Sequence, residues 1–217
     1  MLTEEEWNRA FELTVPTLSL GIGILSVGLA IMSLQRSLAQ RVYYEDGQYL
    51  VAVRYPWELH DIRSFVTPDD PAVQEVYSEV GPDAWALYDW VCREVDYRRD
   101  FGEFFQWPGE TIAIRQGDCE DTSNLLTSLL RCRGIDAYTV LGNYQGYGHA
   151  WTAQNGFIYE TTYTRAMPVP DPEDYQGLVA FNNFEVIESY PGALAEVFSL
   201  GRNEATKLNL VAEALGA

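Results

Sequence analysis

Read from its N terminus, the chain opens on a short acidic stretch and then carries no charged residue from Leu13 to Gln35, 23 positions in all. At about 1.5 Å of rise per residue, a helix of that length covers roughly 34 Å, enough to cross the apolar core of a bilayer. The pattern predicts one long hydrophobic helix, read as a single membrane span. Hydropathy describes a helix buried against neighbouring subunits equally well. A cleavable secretory signal fits poorly, because Glu4, Glu5, Glu6 and Glu12 outweigh Arg9 and no small-x-small cleavage site follows. Ser19, Gly23, Ser26, Ala30 and Ser33 fall on one helical stripe, a face on which a second copy can pack closely to form a homo-oligomer. Arg36 and Arg41 follow the segment, and the positive-inside rule then places the body in the cytoplasm. A component of a viral particle or another large assembly is the alternative.

Beyond residue 41 the pattern shortens. Val42 to Tyr55 reads as a hairpin about Asp46-Gly47, and the acidic, proline-bearing stretch from Pro56 to Pro71 as a loop or linker. From Pro82 to Val95, Trp85, Tyr88, Val91, Cys92 and Val95 recur at helical steps and set Cys92 on a buried face, where it reads as a core thiol. Arg99 to Trp107 reads as an aromatic loop. Gly117 to Gly134 reads as a helix capped by Asp118 and Asp121, striped with Leu125, Leu126, Leu129 and Leu130, and stopped at Gly134. Two alternating runs flank Asn155-Gly156 and predict a second hairpin. A strand at 184–187 and a closing helix at 203–215 complete the tail. The chain thus divides into residues 1–41, a hairpin and linker at 42–80, and a body at 81–217.

The 217 residues are 47% apolar and 13% aromatic, which excludes a disordered or collagen-like chain. A net charge of −18, with Lys207 the only lysine, repels phosphate backbones, so nucleic acid is excluded as a partner. The three cysteines, Cys92, Cys119 and Cys132, are too widely spaced for a CxxC pair. With only two histidines there is no clustered ligand spacing, and the sequence implies neither a metal nor an organic cofactor.

Candidate chemistry centres on Cys119, in the first turn of its helix. Unpaired backbone N–H groups and the positive end of the helix dipole favour a thiolate there, while Asp118, Glu120 and Asp121 oppose it. Such a nucleophile needs a cationic partner. Cys132, at the far end of the helix, lacks that field. His60, in the acidic loop, reads as a solvated surface residue. A two-residue turn at 155 and 156 pairs Gln154 with Phe157, Ala153 with Ile158, Trp151 with Glu160 and His149 with Thr162. His149 and Glu160 then sit diagonally on one face, within reach for the carboxylate to hold one ring nitrogen and leave the other toward a nucleophile. The bland alternative is that the two merely satisfy each other.

On these residues the chain resembles the transglutaminase-like cysteine hydrolase superfamily, of the transglutaminase-like cysteine peptidase type. The likeness rests on Trp90, Val91 and Tyr97, QWPGETI at 106–112, GDCED at 117–121, the leucine-rich helix, Gly134-Ile135, GHAW at 148–151 and YETT at 159–162. It implies an α+β, papain-like core in which a helix bearing the cysteine packs on an antiparallel sheet bearing the histidine and the acid. Cys119 is then the nucleophile, His149 the general base and acid, and Glu160 the third member, where the family usually has Asp. The implied activity is that of a membrane-tethered hydrolase or acyl transferase that opens an amide, in a peptide or a glutamine side chain of a protein substrate, through a thioester. The Cys119 N–H, with Gln106 or the Trp107 indole, is expected to meet the oxyanion, and Trp151 to shield the thiol and the ring. The alternative is a scaffold protein that keeps the fold without turnover.

Overall fold

The computed structural model describes residues 41–55, 58–99 and 104–200. The predicted helix at 13–35 and the closing helix at 203–215 lie outside them. Among the described residues no helix is long and apolar enough to cross a membrane. Every described helix and strand belongs to the compact unit that begins at Val42.

Strands β1 (Val42–Glu45) and β2 (Gln48–Val51) form the first predicted hairpin, turning through Asp46 and Gly47, both at positive φ as a tight primed turn requires. The stretch after this hairpin is more than a linker. It adds β3 (His60–Asp61) to this small sheet and then a 3-10 turn at Ile62–Phe65, whose Ile62 and Phe65 are fully buried. His60 is correspondingly half-buried: its ring packs edge-on against Phe65 and Trp107, and its Nε2 lies 2.7 Å from Glu58.

Helices α1 (Pro71–Val80) and α2 (Ala84–Glu94) start at Asp70 and Asp83, each of which accepts a hydrogen bond from a first-turn N–H. β4 (Asp96–Tyr97) pairs in parallel with β5 (Gln116–Gly117), with α3 (Pro108–Ile114) between them. This short pairing delivers the chain to α4 (Cys119–Arg131), the predicted cysteine helix. Gly134, at φ 71°, ends the turn that follows.

Helix α4 is buried on every side from Cys119 to Leu130, where the sequence pattern predicts only an apolar stripe. Its polar face is tolerated because the sheet and the turn after its last hairpin supply partners: Thr122 meets Thr161 at 2.8 Å, Thr139 donates to Thr127 at 3.0 Å, and Thr152 donates to the Ser123 carbonyl at 3.0 Å. That sheet has the order β10-β9-β6-β7-β8 and is antiparallel throughout: β6 (Ala137–Tyr144), β7 (Tyr147–Gln154), β8 (Phe157–Tyr159), β9 (Tyr175–Phe181) and β10 (Val186–Glu188). Between β6 and β9 the register shifts after Leu141, with Leu141 opposite Val179 and Gly142 opposite Gly177, so Leu178 is the extra residue of a bulge. A short helix, α5 (Ala193–Val197), closes the described chain.

Two apolar clusters meet around α4. One joins Val51, Ile62, Phe65, Phe105, Leu141 and Leu194 to Cys119, and the other gathers Val73, Leu87, Val91, Leu125, Leu126, Leu129 and Leu130 with Tyr159. The architecture is α+β, a buried helix on an antiparallel sheet, as the resemblance implies.

Candidate active site

Gly117 precedes the cysteine turn for a steric reason: a Cβ there would lie 2.7 Å from the Cβ of Asp121. Asp121 in turn accepts from the Asp118 N–H at 3.2 Å, the back-reaching half of a capping box, and so fixes the entry into α4. Cys119 and Glu120 follow in the first turn. Both are 1% exposed, and the Cys119 thiol donates to Glu120 Oε2 at 3.0 Å.

The histidine comes from the middle of β7. The pairs Gln154–Phe157 and Ala153–Ile158 stand as the turn predicts, and the ladder then ends at Thr152–Tyr159, so Glu160 lies just past the strand. The carboxylate still reaches the ring: His149 Nε2 is 2.6 Å from Glu160 Oε2, where an ionised carboxylate accepts the ring proton. Glu160 also accepts from the Thr162 N–H at 3.1 Å, the Thr162 hydroxyl at 2.6 Å and the Tyr175 hydroxyl at 2.9 Å. Burial alone would raise its pKa. The ring of His149 and the Thr162 donors outweigh burial and hold Glu160 at about 2. The ring's other nitrogen, Nδ1, is buried and has no hydrogen-bond partner among the described residues. His149 and Cys119 line one cavity, with Glu120, Phe105 and Leu141 around them.

Tyr175 is the contributor that sequence reasoning misses. Its ring lies tilted against Tyr144, centroids 4.5 Å apart, and meets Trp151 edge-on at 5.2 Å, and burial followed by the charge of Glu160 pushes its own pKa up. The apolar run from Leu178 to Phe181 is the signal that could have revealed β9.

The remaining predicted residues divide. Trp151 packs beside His149, ring centroids 6.1 Å apart, and fills the space left by Gly142, whose added Cβ would lie 2.8 Å from the indole. Gln106 and Trp107 are not among the residues lining the cavity. The Gln106 amide donates to Asp121 Oδ2 at 3.0 Å, and its backbone N–H donates to Oδ1 at 2.8 Å. The Trp107 ring lies under the Arg54 guanidinium at 3.7 Å and stacks on Phe65, while Arg54 also grips Glu110 at 2.7 and 2.9 Å. Both residues brace the loop ahead of α3.

The other thiols sit in unlike settings. Burial, then the charge of Glu160, raises the pKa of Cys92, and burial pushes Cys132 up to about 11. Asp118, Cys119 and Glu120 present donor atoms within 4.8 Å of one another, a set that could hold a cation.

Part of the chain is similar to known proteins. The family model described as the transglutaminase-like superfamily matches residues 71–161, which contain Cys119, His149 and Glu160. No curated protein matches the chain. Among solved structures, EGTA-treated LapG from Legionella pneumophila is similar at 13% identity, covering 66% of this chain and 86% of its own, with a TM-score of 0.47. Calcium-bound LapG matches at 13% identity over 69% and 99%, with a TM-score of 0.41. A candidate cysteine protease from Cytophaga hutchinsonii matches at 23% identity over 46% of this chain and 39% of its own, with a TM-score of 0.40.

Proposed function

We propose that this transglutaminase-like core works as a cysteine hydrolase or acyl transferase on amide bonds, with Cys119 as nucleophile, His149 as general base and acid, and Glu160 as the group that orients the ring. One observation carries the reading. His149 is tied through Nε2 to an acid held ionised by several donors, while its Nδ1, without a hydrogen-bond partner among the described residues, belongs to a ring that shares a cavity with Cys119.

The chemistry follows from that division of the ring. With Nε2–H held by Glu160, the lone pair of neutral imidazole resides on Nδ1, which can take the thiol proton. The sulfur then attacks an amide carbonyl, and imidazolium returns its proton to the departing amine as the C–N bond breaks and the thioester forms. Water or a second amine, activated by the same ring, releases the acyl group and restores the thiol. The preference for an enzyme over a scaffold rests on the cost of the arrangement: a buried acid, a buried imidazole and an unpartnered ring nitrogen are expensive unless used. The uncharged run from Leu13 to Gln35 supports a membrane tether for this body.

The test is intact-mass spectrometry of the full chain with an activated amide or ester probe. A single acyl adduct that maps to Cys119, builds up in a burst and is absent from Cys119→Ala is the expected outcome. An adduct that persists in Cys119→Ala, or none in the native chain under conditions that leave it folded, overturns the proposal.

A further inference from the structure

The cavity shared by Cys119 and His149 is closed by the chain itself. Val197, Phe198 and Leu200 line it together with Phe105, Leu141 and Ala150. The fit is close: a Cβ added to Gly148, next to His149, would lie 3.3 Å from Leu200 Cβ, and the rings of Phe105 and Phe198 are 6.1 Å apart. As a result Cys119 is 1% and His149 6% exposed, and no peptide can reach either without a displacement.

The segment is attached in a way that permits one. Its first half is anchored, since Ala193 and Leu194 are fully buried and the Leu194 N–H donates to Glu188 at 2.8 Å. It leaves β10 through Gly192, at φ 92°, a conformation open to glycine. Its second half bonds only locally among the described residues: Ser199 N–H to the Glu196 carbonyl at 2.8 Å, and Leu200 N–H to the Val197 carbonyl at 3.1 Å. Against the site it offers apolar side chains and no backbone hydrogen bond.

We infer that residues 197–200 occupy the groove in which substrate binds, and that the substrate is a peptide with bulky apolar side chains beside the reactive amide, which takes the place of Val197, Phe198 and Leu200. The inference rests on the proposed cysteine chemistry for its substrate half, while the occlusion half stands on burial alone. An acidic substrate segment would bury its charges against Phe105, Leu141 and Ala150 and beside the Glu120 carboxylate, and is disfavoured by the same surface. The resting protein is therefore closed by a stand-in for its own substrate, and access to the thiol depends on a local opening that leaves the core intact.

The experiment uses the full chain. Phe198 and Leu200 are only half-buried, so the double substitution Phe198→Ser with Leu200→Ser leaves the anchors Ala193 and Leu194 untouched. Labelling by iodoacetamide needs no turnover, and its site can be read peptide by peptide. Cys119 should label at least about tenfold faster in the double variant than in the native chain, with Cys92 and Cys132 unchanged. Equal Cys119 rates overturn the occlusion. A parallel rise at Cys92 marks general unfolding of the variant, and the native chain then decides: a Val-Phe chloromethyl ketone should alkylate Cys119 at least about tenfold faster than a Glu-Glu one, and equal or reversed rates overturn the inference. Should the acyl probe fail while the double variant still exposes Cys119, the catalytic reading falls and the occlusion remains.

Discussion

At its first turn, helix α4 holds Cys119 among carboxylates, sealed at 1% exposure and sharing a cavity with a histidine. At its far end Cys132 follows Arg131, half-buried, with its sulfur 3.3 Å from the Pro68 carbonyl and 3.4 Å from that of Ser128. The less accessible sulfur is the one with chemical company. On the proposed chemistry, exposure and reactivity run in opposite directions along one helix, because reactivity needs a partner able to take a proton and burial is how that partner is kept in place.

The comparison breaks first at the acid. Glu160→Gln keeps the shape and removes the charge that fixes the His149 tautomer, so the rate of acyl-adduct formation should fall by about a hundredfold or more. Cys132→Ala should leave that rate within about twofold, since nothing in the proposed chemistry passes through it. A Glu160→Gln chain as fast as the native one would reduce the two ends of α4 to one kind of thiol.

A second measurement concerns acid stability. The folded-state pKa of Glu160, about 2, lies below its ordinary value of 4.5. The unfolded chain therefore binds the proton first. The stability this carboxylate contributes is complete above about pH 5 and is lost as pH falls toward 2. Urea midpoints measured across that window should drop in the native chain, and drop less in Glu160→Gln. The thiol at the far end sharpens the contrast from the other side: with its pKa at about 11, Cys132 should alkylate faster by about tenfold for each unit of pH between 7 and 10. The smallest effect is expected for Tyr175→Phe. One donor is removed from a carboxylate that keeps three others, which should cost about 1 kcal/mol of stability and lower the adduct rate a few-fold, while restoring the hydroxyl should restore both.

Much of this was legible in the sequence because the interactions are local. The Asp46-Gly47 and Asn155-Gly156 turns fix their hairpins through backbone sterics, and the second carries His149 and Glu160 to one side within a short stretch. The cysteine helix announces itself through Asp118, Asp121 and Gly134. What escaped depends on contacts between distant segments. The Gln106 backbone and side chain each donate to Asp121, fifteen residues on, and His60 packs against Phe65 and Trp107, contacts that its acidic neighbours do not announce. Strand β9 and the segment at 193–200 find their places through apolar contacts with β6 and the cavity, and no local pattern encodes those neighbours.

The bulge at Leu178 has an outcome far larger than its size. Continued without interruption from the Leu141–Val179 pair, the ladder would place Gln176 opposite Tyr144 and turn Tyr175 to the reverse side; the surplus residue inverts that parity and sets Tyr175 opposite Tyr144 instead. Were Leu178 instead to pair with Gly142, the composition, the charge and every motif would be unchanged, yet a carboxamide would replace a phenol beneath the acid. In this fold the wiring of the charge network is a matter of odd and even counting along a strand remote from every motif that announces the chemistry.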